Sequence, residues 1–110
     1  MLSQMLFPPS NTKPKSNVEV RNINTKDIPS DSTKVTWLGH SSFIIEMEGK
    51  VILIDPIFSN YAAPHSFVGS KRFNNKMPFD ATTLEHIDAI IISHDHYDHL
   101  DKGSIVKLKD

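Results

Sequence analysis

An apolar run, Ala89-Ile90-Ile91-Ile92, opens without a spacer into Ser93-His94-Asp95-His96-Tyr97-Asp98-His99-Leu100-Asp101, and this junction constrains the fold more than any other stretch. A short uninterrupted run rich in β-branched residues favours a buried strand. The nine residues behind it carry three imidazoles and three carboxylates. Irregular backbone just beyond a sheet edge can turn several side chains onto one point, and the spacing His94-x-His96-x-Asp98-His99 is that of a metal site. Imidazole with carboxylate suits zinc, manganese or iron. The chain has no cysteine, so thiolate ligands and disulfides are excluded.

Two ions can be accommodated if His94 and His96 hold one while Asp98 and His99 hold its neighbour. A hydroxide held between two such cations is a strong nucleophile at neutral pH, and the same ions act as Lewis acids on a carbonyl or phosphoryl oxygen. Hydrolysis is the reaction class this chemistry points to.

A metal-bearing rim needs a sheet behind it, and ordered structure is expected from Lys34 onward. Val35-Thr36-Trp37-Leu38 reads as a strand ending at Gly39, and Ser42 to Met47 reads as the next. Glu48-Gly49-Lys50 turns the chain into Val51-Ile52-Leu53-Ile54, whose apolar run predicts a strand buried on both faces. These three make a meander, which Asp55-Pro56 ends, because proline cannot donate to a ladder and holds its predecessor extended. Residues 57–80 show no regular period, and a loop that long suggests a lid or another functional segment, or aromatic residues pinning the loop to the sheet. Thr82 to His86 is expected to form a single helical turn, and Ile87 to Ser93 the fourth strand. Asp101 is a good N-cap for a helix starting at Lys102, with Ile105 and Leu108 on one face.

With 110 residues the chain holds at most one small domain. Residues 1–33 are rich in Ser, Asn, Thr, Lys and Pro and read as an irregular lead-in, with one short edge strand suggested at Val18-Glu19-Val20. Residues 34–110 form the ordered part. The cluster Met5-Leu6-Phe7 could pack onto the domain or make peripheral contact with a membrane. A net charge of -1 gives no basic footprint for nucleic acid. Neither a secretory signal nor a run of about twenty apolar residues is present, so a soluble, cytoplasmic protein is expected.

Two further residues leave strand ends near the motif. Asp55 reads either as an acceptor that orients a ligand histidine through its other ring nitrogen, or as the initiator of an Asp-Pro turn. His40, in Gly39-His40-Ser41-Ser42, reads as part of a polar turn beside the site or as an ordinary loop histidine. Lys71 and Arg72 could meet a phosphate or be solvated. His65 and His86 read as surface or loop histidines.

His94, His96, Asp98 and His99 together resemble the hallmark of the metallo-β-lactamase superfamily. Trp37-Leu38-Gly39-His40-Ser41-Ser42-Phe43 and Ile54-Asp55-Pro56 with Phe58-Ser59 extend the likeness. So do Pro64, Phe67, Gly69, Lys71-Arg72-Phe73, and Ile92 through Asp101. These resemble the branch that includes N-acyl-phosphatidylethanolamine-hydrolysing phospholipase D and its bacterial relatives, with the ascorbate-6-phosphate lactonase group nearby. The resemblance runs from about Val35 to the end.

The resemblance implies an α/β (α+β) fold, the N-terminal part of an αββα sandwich, built here chiefly of one β meander and a terminal helix. It implies a dinuclear, usually zinc, hydrolase of phosphodiesters or related esters, with small-molecule or phospholipid-like substrates. His94 and His96 would then be ligands of the first ion and Asp98 and His99 of the second, with Asp98 also taking a proton during turnover. The family adds a further His, a bridging Asp and a last His downstream, and no histidine follows His99 here. The expectation is therefore part of a hydrolase, truncated or completed by a separate chain. The alternative is an inactive remnant that at most binds metal or a partner. A single sheet of this kind is expected to leave an apolar face open.

Overall fold

The computed structural model describes residues 9–21, 31–61, 71–73, 77, 84 and 86–109. Four strands form one mixed sheet in sequence order: β1 (Lys34–Gly39), β2 (Ser42–Met47), β3 (Lys50–Ile54) and β4 (Ala89–Ile91); a helix, α1 (Lys102–Lys109), follows. The first three are antiparallel neighbours, in the expected meander. The turn into β3 has Glu48 at φ 50° and Gly49 at φ 71°, the paired left-handed geometry whose twist matches a two-residue hairpin.

β4 differs from expectation in length, direction and exposure. It has three residues rather than the run from Ile87 to Ser93, and it pairs parallel to β3, so the chain crosses over between them. As an edge strand it also leaves Ile90 and Ile91 38% and 49% exposed. Asp88 pins its start: the Asp88 backbone N–H donates to the Val51 carbonyl at 2.8 Å, and its carboxylate accepts from the Val51 N–H and from Lys50, each at 2.8 Å. These hydrogen bonds, led by that from Lys50, hold the Asp88 carboxyl far below the ordinary carboxylate range.

The cross-strand register divides the side chains between two faces. Leu38, Ile44 and Leu53 lie on the buried face and form the core with Phe58. Val51, Met77, Leu84, Ile87 and Leu108 pack against that cluster. Burying a side chain such as Ile44 or Leu53 contributes about 1.5–3 kcal/mol. The opposite face carries Val35, Trp37, Phe43, Ile45, Ile52, Ile54 and Ile91. Val35 and Trp37 of β1 are 61% and 63% exposed there, and Ile52 and Ile54 of β3 are half-buried, so β3 is covered better on its Leu53 face than on the other.

Asp101 caps α1 as expected, accepting from the backbone N–H groups of Gly103 and Ser104. The same carboxylate accepts from the Ser59 hydroxyl at 2.7 Å and from the Ser104 hydroxyl, while the Phe58 N–H donates to Ser104 Oγ at 2.6 Å. One cap therefore ties the helix start to the segment that leaves β3. Ser104 is fully buried, and Ile105 and Leu108 are half-buried.

Val18-Glu19-Val20 is irregular and joins no strand. Met5-Leu6-Phe7, His65 and most of the proposed turn at Thr82 to His86 lie outside the described residues. So does the greater part of the long loop, although Tyr61 and Lys71 form an isolated antiparallel bridge across it. No helix among the described residues is long and apolar enough to cross a membrane.

Candidate metal centre

Topology alone explains why the chemistry-bearing residues meet. β1 is antiparallel to β2, β2 to β3, and β3 is parallel to β4, so β1, β3 and β4 all end at one rim. Gly39-His40, Asp55 and Ser93-His94 are the residues that leave those three ends. The Asp55 N–H donates to the Ile91 carbonyl at 2.9 Å, which carries the β3–β4 pairing one step past the strands and sets Asp55 beside Ser93.

Asp55 is 2% exposed and adopts φ 42°, a left-handed conformation uncommon for a side-chain-bearing residue and one that Asp tolerates better than most. Its expected extended geometry before Pro56 is thus overturned, and buried hydrogen bonds hold the bend instead. Ser42 Oγ donates to the Asp55 carbonyl at 2.5 Å and accepts from the Ile57 N–H at 3.3 Å. The Asp55 carboxylate receives the Ser93 N–H at 2.7 Å, the Ser93 hydroxyl at 2.7 Å and His99 Nδ1 at 2.7 Å. Burial acts to raise its pKa, but the donations from Ser93 and His99 outweigh it and hold the carboxyl below its ordinary value. Asp55 is therefore placed to accept a proton from His99 Nδ1, which turns His99 Nε2 toward Asp98.

The motif itself is a tight turn in which His99 N–H and Leu100 N–H both donate to the His96 carbonyl, at 2.9 and 2.8 Å. It folds Asp98 and His99 back toward the rim. His99 Nε2 lies 3.8 Å from Asp98 Oδ2, and His94 Nε2 lies 3.2 Å from His96 Nδ1. The His94 and His99 rings are 3.8 Å apart between centroids.

His40 approaches from the β1–β2 turn. Gly39 has φ 107°, a conformation that side chains rarely adopt, and an added Cβ would stand 3.2 Å from the Arg72 guanidinium. His40 follows at φ 49°, its carbonyl accepting from Trp37 Nε1 at 2.8 Å. His40 Nε2 is 3.1 Å from Asp98 Oδ2, and Ser41 Oγ donates to the Asp98 carbonyl at 3.4 Å. Burial acts to raise the Asp98 pKa, but its own backbone N–H and the approach of His40 and His99 bring it below the ordinary value.

Two donor groups result among the described residues: His94, His96 and Asp98, and His40, Asp98 and His99. Within each group the ligand atoms lie within 4.8 Å of one another. The pairing differs in detail from that expected, since Asp98 belongs to both groups and His40 joins the second. Ligands about 2.0–2.2 Å from a shared tetrahedral ion stand roughly 3.3–3.6 Å apart. The separations of 3.2 Å between His94 and His96, 3.1 Å between His40 and Asp98, and 3.8 Å between His99 and Asp98 bracket that value. The donor set and its spacing fit a divalent transition metal.

Arg72 is half-buried and tied to the backbone. Its guanidinium donates to the Ile57 and Leu38 carbonyls, and burial lowers its pKa against the opposing charge of Asp101. His86 pairs with Asp88 at 3.1 Å, away from the donor groups. Sequence reasoning assigned no role to Ser93, Ser42 or Ser104. The one local signal for Ser93 was a small hydroxyl directly before the first histidine at a strand end.

A model of the Beta-lactamase superfamily domain matches residues 34–107. An uncharacterized protein of Mycobacterium tuberculosis is 34% identical over 99 residues, covering 90% of this chain and 26% of the relative. N-acyl-phosphatidylethanolamine-hydrolyzing phospholipase D 1 of Caenorhabditis elegans is 36% identical over 94 residues, 84% of this chain and 26% of the relative. A UPF0173 metal-dependent hydrolase of Herpetosiphon aurantiacus is 39% identical over 70 residues, 62% of this chain and 24% of the relative. The chain thus spans about a quarter of the length of these curated relatives. The hallmark residues, the mixed sheet that gathers them at one rim and the domain match together show that this chain belongs to the metallo-β-lactamase superfamily.

Proposed function

We propose that this chain contributes one wall of a two-metal hydrolase centre that cleaves phosphodiesters, with zinc as the resident ion. The observation that carries this reading is the pair of donor groups sharing Asp98, one of them anchored through His99 on the buried Asp55. His94, His96 and Asp98 would hold one ion, and Asp98 and His99, with His40 adjacent, the other. Such ions, when bound, supply Lewis acidity toward a phosphoryl oxygen and acidify water.

The chain's own residues do the positioning. Asp55 keeps the His99 proton on Nδ1, so that Nε2 is the nitrogen available as a ligand. His40 and the Ser41 hydroxyl restrain Asp98, the residue assigned to accept a proton during turnover. Two ions with four or more ligands each need more donors than the five gathered among the described residues, so further protein residues and water are assigned the remaining places. A separate complementing chain is one source of them. The relative named as a phospholipase D favours a phospholipid-like phosphodiester as substrate, and a cytoplasmic setting with peripheral membrane contact suits such a substrate.

The test is hydrolysis of bis(p-nitrophenyl) phosphate by zinc-loaded protein, with and without a chelator, in wild type and Asp98→Asn. Turnover that needs zinc and is lost in the variant supports the proposal. Turnover indifferent to the chelator, or retained in Asp98→Asn, contradicts it; zinc uptake without turnover is separated from a catalytically silent metal binder by repeating the assay with a chain that supplies the remaining ligands.

A further inference from the structure

We propose that Ser93 is a positioning residue whose hydroxyl determines the ring nitrogen that His94 offers to a metal, coupling His94 to the buried carboxylate that orients His99. The inference rests on the metal-centre reading above and goes beyond it, because it concerns a residue outside the ligand set.

The Ser93 hydroxyl has three partners: Asp55 Oδ2 at 2.7 Å, His94 Nδ1 at 2.9 Å and His99 Nδ1 at 3.0 Å. A hydroxyl has one proton and two lone pairs. Ionised Asp55 can only accept, so the Ser93 proton is committed to Asp55 Oδ2. The Ser93 lone pairs then face both Nδ1 atoms, and each of those nitrogens must carry its ring proton. For His99 the assignment is redundant, since Asp55 accepts from the same Nδ1 at 2.7 Å. For His94 it rests on Ser93. With the proton on Nδ1, the His94 lone pair lies on Nε2, the atom that stands 3.2 Å from His96 Nδ1 in the first donor group.

Because the Ser93 backbone N–H separately anchors to Asp55 Oδ1 at 2.7 Å, removing the hydroxyl leaves the strand end tied down. Ser93 is exposed, so the change opens no core cavity. Ser93→Ala therefore separates the proton-holding role from a structural one, and Ser93→Thr restores the hydroxyl.

The experiment is long-range proton–nitrogen NMR of nitrogen-15-histidine-labelled, zinc-loaded protein, with zinc affinity measured in parallel by competition with a chromophoric chelator. In wild type, zinc on Nε2 and a proton on Nδ1 are expected for both His94 and His99. In Ser93→Ala, the His94 Nδ1 proton should exchange faster with solvent and zinc affinity should fall by about tenfold, the lower end for loss of an outer partner of a ligand histidine. His99 should be unchanged, and Ser93→Thr should recover both readouts. Zinc bound to His94 through Nδ1 overturns the proposal. So does a Ser93→Ala protein with wild-type affinity and wild-type His94 exchange; that result leaves the metal-centre reading standing. Zinc that perturbs no histidine nitrogen overturns the metal-centre reading, and the Ser93 role with it.

Discussion

Replacing Asp55 by Asn tests whether the buried carboxylate acts on the metal through His99. The substitution preserves size, and Asn tolerates the left-handed backbone at φ 42° as well as Asp does, so no backbone strain is added. The amide oxygen can still accept the Ser93 N–H, which sits 2.7 Å from Oδ1. The other terminus becomes a donor and now opposes His99 Nδ1 and the Ser93 hydroxyl, both of which donated to Oδ2 at 2.7 Å. His99 Nδ1 then loses its carboxylate acceptor and faces an N–H, which favours moving the ring proton to Nε2, the nitrogen needed as a ligand. Loss of such an orienting carboxylate weakens metal binding by about 10–100-fold, equivalent to roughly 1.4–2.7 kcal/mol. Competition against a chromophoric chelator near neutral pH measures the change, and circular dichroism of the same samples reports the fold. Wild-type zinc affinity in a folded Asp55→Asn protein would refute the reasoning. In the metal-free protein the lowered Asp55 pKa gives a second readout. Its contribution to stability is complete above the ordinary carboxylate pKa and is lost as pH falls through the lower folded value, a dependence that Asp55→Asn should remove.

Asp101→Ala should destabilise the chain by about 2 kcal/mol, combining a lost N-cap with the stranded hydroxyls of Ser59 and Ser104; urea unfolding measures it, and a change below about 0.5 kcal/mol would deny the cap its role as a tie. Glu46 is buried on the core face of β2, where desolvation raises its pKa and Lys34 at 3.7 Å only partly opposes the shift. Folding is therefore favoured with Glu46 protonated, and that contribution is lost as pH rises through its folded pKa. Glu46→Gln should match or exceed wild-type thermal stability at neutral pH, and a clear loss would show that the Lys34 pair outweighs the cost of burial.

The three-stranded meander was legible because apolar runs, Gly39 and Glu48-Gly49 mark strands and turns locally. The helix start was equally readable, since Asp101 has the chemistry of a cap and the apolar positions follow it. β4 was misjudged for a physical reason. An isoleucine run reads as buried, yet here it ends a sheet, and only the register with β3 shows that it is short, parallel and exposed. The same parallel register brings Asp55 to His99, 44 positions later in the sequence, a contact that spacing cannot reveal. His40 reaches Asp98 for the same topological reason, through a turn whose left-handed backbone was not foreseen. Ser93 escaped notice because a small hydroxyl between an apolar strand and a histidine is only a weak signal until its three partners are seen together.

Titration of the metal-free protein with cobalt(II), read by visible absorption in wild type and in His94→Gln, His96→Gln and His99→Gln, tests the metal centre most directly. Saturable binding with bands typical of nitrogen and oxygen ligation, weakened in each variant while the fold is retained, is the expected result. Absence of binding at millimolar cobalt, or binding that all three variants leave unchanged, would contradict the assignment of His94, His96 and His99 as metal ligands.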